Sequence, residues 1–172
     1  TTEMKFVAPL QDLRWHRFKF AVTMHETVAE RITALANECI SRKGSFHIVL
    51  AGGSTPRDTY TLLRKAQTDW QKWHVYFSDE RCLPYPHAAR NDAMADGCLL
   101  VHVPVPREQI HRIPSELPTA DCIAQYTQAL AGIGHFDLVL LGLGEDGHTA
   151  SLFPNRNWGK DGDSPPVLAV HY

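Results

Sequence analysis

Apolar and polar positions along this chain switch between two periods, and the switches mark out the elements. Residues 4–8 and 15–22 read as strands, the second with Phe18, Phe20 and Val22 on one side. From Thr23 the period becomes helical. Thr23-Met24-His25-Glu26 has the form of a capping box, Val28, Ile32, Leu35, Cys39 and Ile40 share a face, and Gly44 is placed to end the helix. Residues 46–51 form a short apolar run bounded by Gly52-Gly53-Ser54-Thr55-Pro56, the signature of a fully buried strand. Pro56 suits the first turn of a helix whose apolar face is Tyr60, Leu62 and Leu63. Residues 73–78 give a third buried strand, followed at once by Asp79-Glu80-Arg81. Residues 91–101 predict a helix, 109–113 a short strand and 119–131 a helix with Ile123, Tyr126 and Leu130 on one face. Residues 136–143 are the most strand-like run and empty into Gly144-Glu145-Asp146-Gly147-His148. Residues 159–166 read as a surface loop, and 167–172 as one more strand.

Strand, helix, strand, helix, strand predicts an α/β fold: a single domain over residues 1–172 with a mostly parallel, doubly wound, Rossmann-like sheet. A buried strand is an odd last element, so the C-terminal part of the domain is expected to be missing. The length, 172 residues, suits one domain. A chain of this size buries roughly 70% of its unfolded surface, enough for a true core. The 17 Lys and Arg against 19 Asp and Glu leave a net charge of −2, which argues against nucleic acid as a partner. No apolar run nears the ~18 residues of a membrane span, and the first residues lack the layout of a signal peptide. Cys39, Cys82, Cys98 and Cys122 form no C-x-x-C, so they are expected to be free, buried thiols in a reducing cytoplasm.

In parallel sheets ligands bind at the carboxyl ends of the strands, and three polar clusters take that position. At Gly52-Gly53-Ser54-Thr55 the two glycines allow close approach, and the free N–H groups of a helix start favour an anion. The pattern is neither a dinucleotide fingerprint nor a P-loop. The alternative is a plain turn capped by Thr55. In the second cluster Arg81 can pair with a phosphate or carboxylate, and Asp79 can act as a base or hold a neighbour; a solvated loop is the alternative. The third cluster, residues 142–151, brings two acids, two hydroxyls and His148 to one strand end. His is the side chain best matched to proton transfer near neutral pH, and Asp146 stands two residues before it, where it can orient the ring. A helix cap and a surface His are the plainer readings. Trp70 and Trp73 are expected to pack the sheet edge, and Arg90 and Asn91 to sit in a polar loop from which they can approach the site, though nothing requires it.

At these clusters the chain resembles the 6-phosphogluconolactonase family. The matching segments are Leu50-Ala51-Gly52-Gly53-Ser54-Thr55-Pro56, Phe77-Ser78-Asp79-Glu80-Arg81, the stretch from Leu141 to Pro154 and the stretch from Val103 to Pro114. The first is shared with the related glucosamine-6-phosphate deaminases, whereas Thr149-Ala150-Ser151-Leu152-Phe153-Pro154 favours the lactonase. The resemblance implies hydrolysis of 6-phosphoglucono-δ-lactone to 6-phosphogluconate in the pentose phosphate pathway, with no metal or other cofactor. It implies that Gly52, Gly53, Ser54 and Thr55 line the phosphate site and that Arg81 assists there or at the carbonyl. It further implies that His148 is the general base, oriented by Asp146, with Asp79 in the same pocket. Arg90-Asn91 stands where the family has Ser-Asn, and no position matches the Lys that relatives add to the phosphate site. The expected partner is a small-molecule sugar phosphate and the expected state a monomer, with neither nucleic acid nor membrane. An isomerase–deaminase with Asp79 as the base for C2 proton transfer, and a non-catalytic sugar-phosphate-binding module, remain open as alternatives.

Overall fold

The computed structural model describes residues 14–158 and 164–171. The strand expected at 4–8 and most of the loop expected at 159–166 lie outside the described residues. The elements are α1 (Ala21–Lys43), β1 (Phe46–Leu50), α2 (Ser54–Leu63), β2 (Trp73–Phe77), α3 (Asn91–Ala95), α4 (Thr119–Leu130) and β3 (Leu138–Val139). A π-helical turn, Asp96–Leu100, continues α3, and single 3-10 turns occupy Trp70–Lys72 and Arg107–Gln109.

The three strands form a parallel sheet in the order β2-β1-β3, so the fold is α/β as expected. Each long strand turns one row of side chains into the core. Phe46, Ile48 and Leu50 of β1 and Trp73, Val75 and Phe77 of β2 are all at most 3% exposed. They pack with Ile32, Ala36 and Cys39 of α1, Tyr60 and Leu63 of α2, and Leu99 and Leu100 of the π turn. Burying one such large side chain is worth about 1.5–3 kcal/mol, which is why these positions set the register. Trp73 packs edge-on to Phe46, and Trp70 lies against Trp73, ring centroids 4.8 and 4.4 Å apart.

Two tyrosine hydroxyls finish the strand ends. Tyr60 of α2 both accepts the Ala51 N–H and donates to the Ala51 carbonyl, at 2.9 Å each. Tyr126 of α4 treats Phe77 in the same way, at 3.2 and 3.3 Å. Backbone groups left over where the ladder stops would otherwise be buried without partners. The hydroxyls therefore fix where β1 and β2 release the chain toward the site.

Several expected elements differ. The segment 15–22 is not a strand: α1 begins at Ala21, the Thr23–Glu26 pattern lies inside its first turns, and Phe20 and Val22 are 59% exposed. The strand expected at 109–113 is reduced to a single bridge, Val75 to Ile110, and that at 136–143 to two paired residues. Residues 167–171 are not a strand. Cys39 and Cys98 are buried free thiols, but Cys82 is exposed.

Candidate active site

The first wall of the site is the turn between β1 and α2. Gly53 holds φ 106°, a region that excludes most side chains, and lets the backbone double back from the strand into the helix. Contrary to the plainer reading, Thr55 does not cap α2; no side chain at its start does. The first N–H groups of the helix therefore face outward beside the Ser54 and Thr55 hydroxyls, with the positive end of the helix dipole behind them.

The second wall follows β2, and only part of it is solvated. Arg81 is exposed and donates from Nη1 to the Ala89 carbonyl. Glu80, by contrast, has a side chain only 1% exposed. Its carboxylate accepts the backbone N–H of Arg81 (2.8 Å), Asn91 (2.7 Å) and Asp92 (2.9 Å), so it clamps the 79–81 loop to the start of α3. Burial pushes its carboxyl up against the pull of those three N–H donors. Beneath it the buried Arg90 forks onto Asp92 at 2.9 and 2.8 Å and also reaches the Leu83 and Ile113 carbonyls. Burial raises the Asp92 carboxyl, but the Arg90 fork with Arg112 behind it wins and holds the group below the usual range. Arg90 is thus part of the frame rather than of a polar loop. Asn91, 4% exposed, donates from Nδ2 to the backbone and side-chain oxygens of Asp79 (2.9 and 3.1 Å) and fills the space that a Cβ on Gly52 would need.

The third wall is the loop after β3. The Asp146 carboxylate accepts the His148 backbone N–H at 3.1 Å and meets its Nδ1 at 2.5 Å. A carboxylate only accepts, so Nδ1 is the donor in this pair, and in the neutral ring the lone pair is then on Nε2. The two contacts from His148 hold the Asp146 carboxyl below its ordinary value. Three further contacts set the imidazole. Its ring lies over Gly144, where any Cβ would fall inside it. Phe153 packs against it with centroids 5.0 Å apart. The Gly144 N–H donates to the His148 carbonyl at 2.7 Å. The ring remains about one-third exposed.

The three walls enclose one cavity of about 580 Å³. It is lined by Gly52, Gly53, Ser54 and Thr55, by Asp79 and Arg81, and by His148. Asn91 lines it too, and Met24 and Val28 of α1 give it an apolar side. Asp146 reaches it through His148. The sequence placed seven of these residues at the three strand ends; it gave Asn91 and Gly144 no role of their own and missed the wall from α1. Among the described residues no three His, Cys, Asp or Glu side chains are grouped to hold a metal ion.

A sequence model of the family described as Glucosamine-6-phosphate isomerases/6-phosphogluconolactonase matches residues 21–172. A 6-phosphogluconolactonase of Synechocystis sp. is 39% identical over 133 residues, 72% of this chain and 55% of that protein. The GDH/6PGL endoplasmic bifunctional protein of Homo sapiens is 38% identical over 154 residues, 83% of this chain and 20% of that protein. Among solved structures, the 6-phosphogluconolactonase of Thermotoga maritima superposes with a TM-score of 0.74 at 30% identity, covering 80% of this chain and 63% of that one. The crystal structure of a devB protein gives a TM-score of 0.77 at 31% identity, covering 90% and 67%. The chain spans 55% of the length of the Synechocystis protein and 20% of the Homo sapiens one.

Proposed function

Since this chain belongs to the glucosamine-6-phosphate isomerase/6-phosphogluconolactonase family, we propose that it hydrolyses 6-phosphoglucono-δ-lactone to 6-phosphogluconate, a step of the pentose phosphate pathway. The observation that carries the reading is the convergence of an anion-accepting turn, Arg81 and an Asp146-held His148 on one cavity. The substrate's phosphate sits on the start of α2 at Gly52, Gly53, Ser54 and Thr55, and Arg81 meets its charge. Nε2 of His148 takes a proton from water as the water oxygen bonds to the lactone carbonyl carbon. The C–O bond to the ring oxygen then breaks, and the ring oxygen recovers the proton from the imidazole. Asp146 holds the ring in the required tautomer and stabilises its charged form. No cofactor enters this sequence of steps.

The lactonase is favoured over an isomerase–deaminase by the state of Asp79, which the second reaction needs as its base. Its carboxylate is occupied by donors from Ser78, Asn91 and Ser151. One domain over residues 1–172 is the organisation proposed; among the described residues one hydrophobic cluster joins α1, α2 and the sheet. The near-balanced charge supports a free sugar phosphate rather than nucleic acid as the partner, and a monomer is the state proposed. Among the described residues no helix is long and apolar enough to cross a membrane. The free thiols support a place in the cytoplasm.

Replacing His148 with Asn tests the reading. After subtraction of spontaneous lactone opening, kcat should fall by at least ~10² while 6-phosphogluconate still binds. A His148→Asn protein that opens the lactone at the parent rate overturns the mechanism. Release of ammonia from glucosamine 6-phosphate by the parent would favour the deaminase. Product binding without any turnover would favour a binding module.

A further inference from the structure

The loop that carries His148 has little to hold it. The strand beneath it, β3, pairs over two residues only, and Leu141 and Leu143 are 60% and 82% exposed. Within 142–152 the hydrogen bonds close on the loop itself: Gly147 N–H to the Gly144 carbonyl, the Thr149 hydroxyl to the Gly142 carbonyl, and the Thr149–Leu152 backbone pair. These set the loop's shape but not its place on the protein. Among the described residues one hydrogen bond leaves the loop for the rest of the site, from Ser151 Oγ to Asp79 Oδ2 at 2.6 Å, across 72 positions of sequence. A hydroxyl on a carboxylate at that distance is a short, charge-assisted bond. Its far end is fixed, because Asp79 is gripped by the buried Asn91, whose own backbone N–H is held by Glu80.

We propose that the Ser151–Asp79 hydrogen bond is the latch that seats the His148 loop on the cavity, with Ser151 and Asp79 as positioning residues for proton transfer. The inference rests on the lactonase reading of the same site. Ser151 lies three residues beyond His148, joined to it by Thr149 and by Ala150, which holds a left-handed φ of 50°. The Asp79 carboxylate acts through this bond rather than on the substrate. Displacing a general base by about 1 Å is enough to lower a rate by orders of magnitude without altering how the substrate binds.

The test uses the 172-residue chain with Ser151→Ala and Ser151→Thr. Ser151→Ala should lower kcat for the lactone about tenfold, leave KM and the affinity for 6-phosphogluconate within about twofold, and speed amide exchange across residues 144–152. Ser151→Thr, which keeps the hydroxyl, should restore both kcat and exchange protection. In a cycle with Asp79→Asn, the second substitution should add little to the first. Unchanged kcat and unchanged exchange in Ser151→Ala overturn the latch, as does full additivity in the cycle. A parent chain with no lactonase activity above background would instead sink the functional reading, and amide exchange alone would then decide the latch.

Discussion

His148 is set by what surrounds its ring, and Gly144 is the tightest of those surroundings. The imidazole occupies the volume a β-carbon would take at residue 144, so the smallest substitution there is already too large. Gly144→Ala must push the ring away from its place beside Asp146, and with it Nε2. The expected result is a loss of kcat of about 10²-fold, with the affinity for inorganic phosphate retained, because the turn at Gly53 lies on another strand. Parent-like kcat in Gly144→Ala would show that the ring tolerates displacement. The Asp146–His148 pair was readable in the sequence because its two members are two residues apart and their chemistry is local. Gly144 was read only as one of the glycines of the strand-end cluster at 142–151, since its close contact is visible only once the loop has folded back on itself. Asn91 and the buried carboxylate of Glu80 were hidden for the same reason: their partners lie in other segments, and by composition alone Asp79-Glu80-Arg81 looks solvated.

At the scale of elements, the helix of α1, the two long strands and α4 followed their periodicity, because burial on one face dictates it. The failures have particular causes. Phe18, Phe20 and Val22 alternate like a strand but have no sheet to face, and Phe20 instead takes the N-cap position of α1. The run 136–143 is apolar apart from Asp137 and Gly142, yet strand pairing needs a neighbour, and β1 ends at Leu50. The frame between β2 and α3 rests on Arg90, whose side chain is 1% exposed and whose partner Asp92 is fully buried. Removing the guanidinium leaves that buried carboxylate with only Arg112, 3.5 Å away, and deprives the Leu83 and Ile113 carbonyls of their donor. Arg90→Ala should therefore cost about 3–5 kcal/mol in urea unfolding and loosen Arg81 and Asp79 together. A loss below about 1 kcal/mol, the range of surface ion pairs, would show that the network is solvated in solution.

The molecule as a whole turns one face of its sheet to the helical core and carries on the other a row of stacked rings. His47 and His74 are register partners on β1 and β2, with parallel rings 4.4 Å apart. Tyr76 stacks on His111 at 4.4 Å, His111 on His74 at 5.8 Å, and Phe136 leans on Tyr76. Burial lowers the imidazole pKa of His47, His74 and His111 from the usual 6.5, and mutual repulsion adds to it at His47 and His111; near His47, Lys43 lowers it further and Asp137 opposes. The Nε2 of His111 is buried without a hydrogen-bond partner, so no acceptor awaits a proton there. In the unfolded chain these three histidines titrate near 6.5, above their folded values, so between the two the unfolded state binds more protons. Stability is therefore complete above about pH 6.5 and falls as the pH drops through the window below it. The depressed carboxylates, Asp92, Asp137 and Asp146, are lowered away from that window, whereas the raised carboxyl of Glu80 acts with the opposite sign to the histidines. The urea midpoint should then drop between about pH 7.5 and about pH 5.5. Replacing His74, which touches both other imidazoles, with Gln should flatten that dependence while leaving the lactone rate at pH 7.5 close to the parent's, since the ring row does not line the cavity. A midpoint that is level across this range in the parent, or equally steep in His74→Gln, would show that the stacked histidines take up protons in the folded protein as easily as in the unfolded chain.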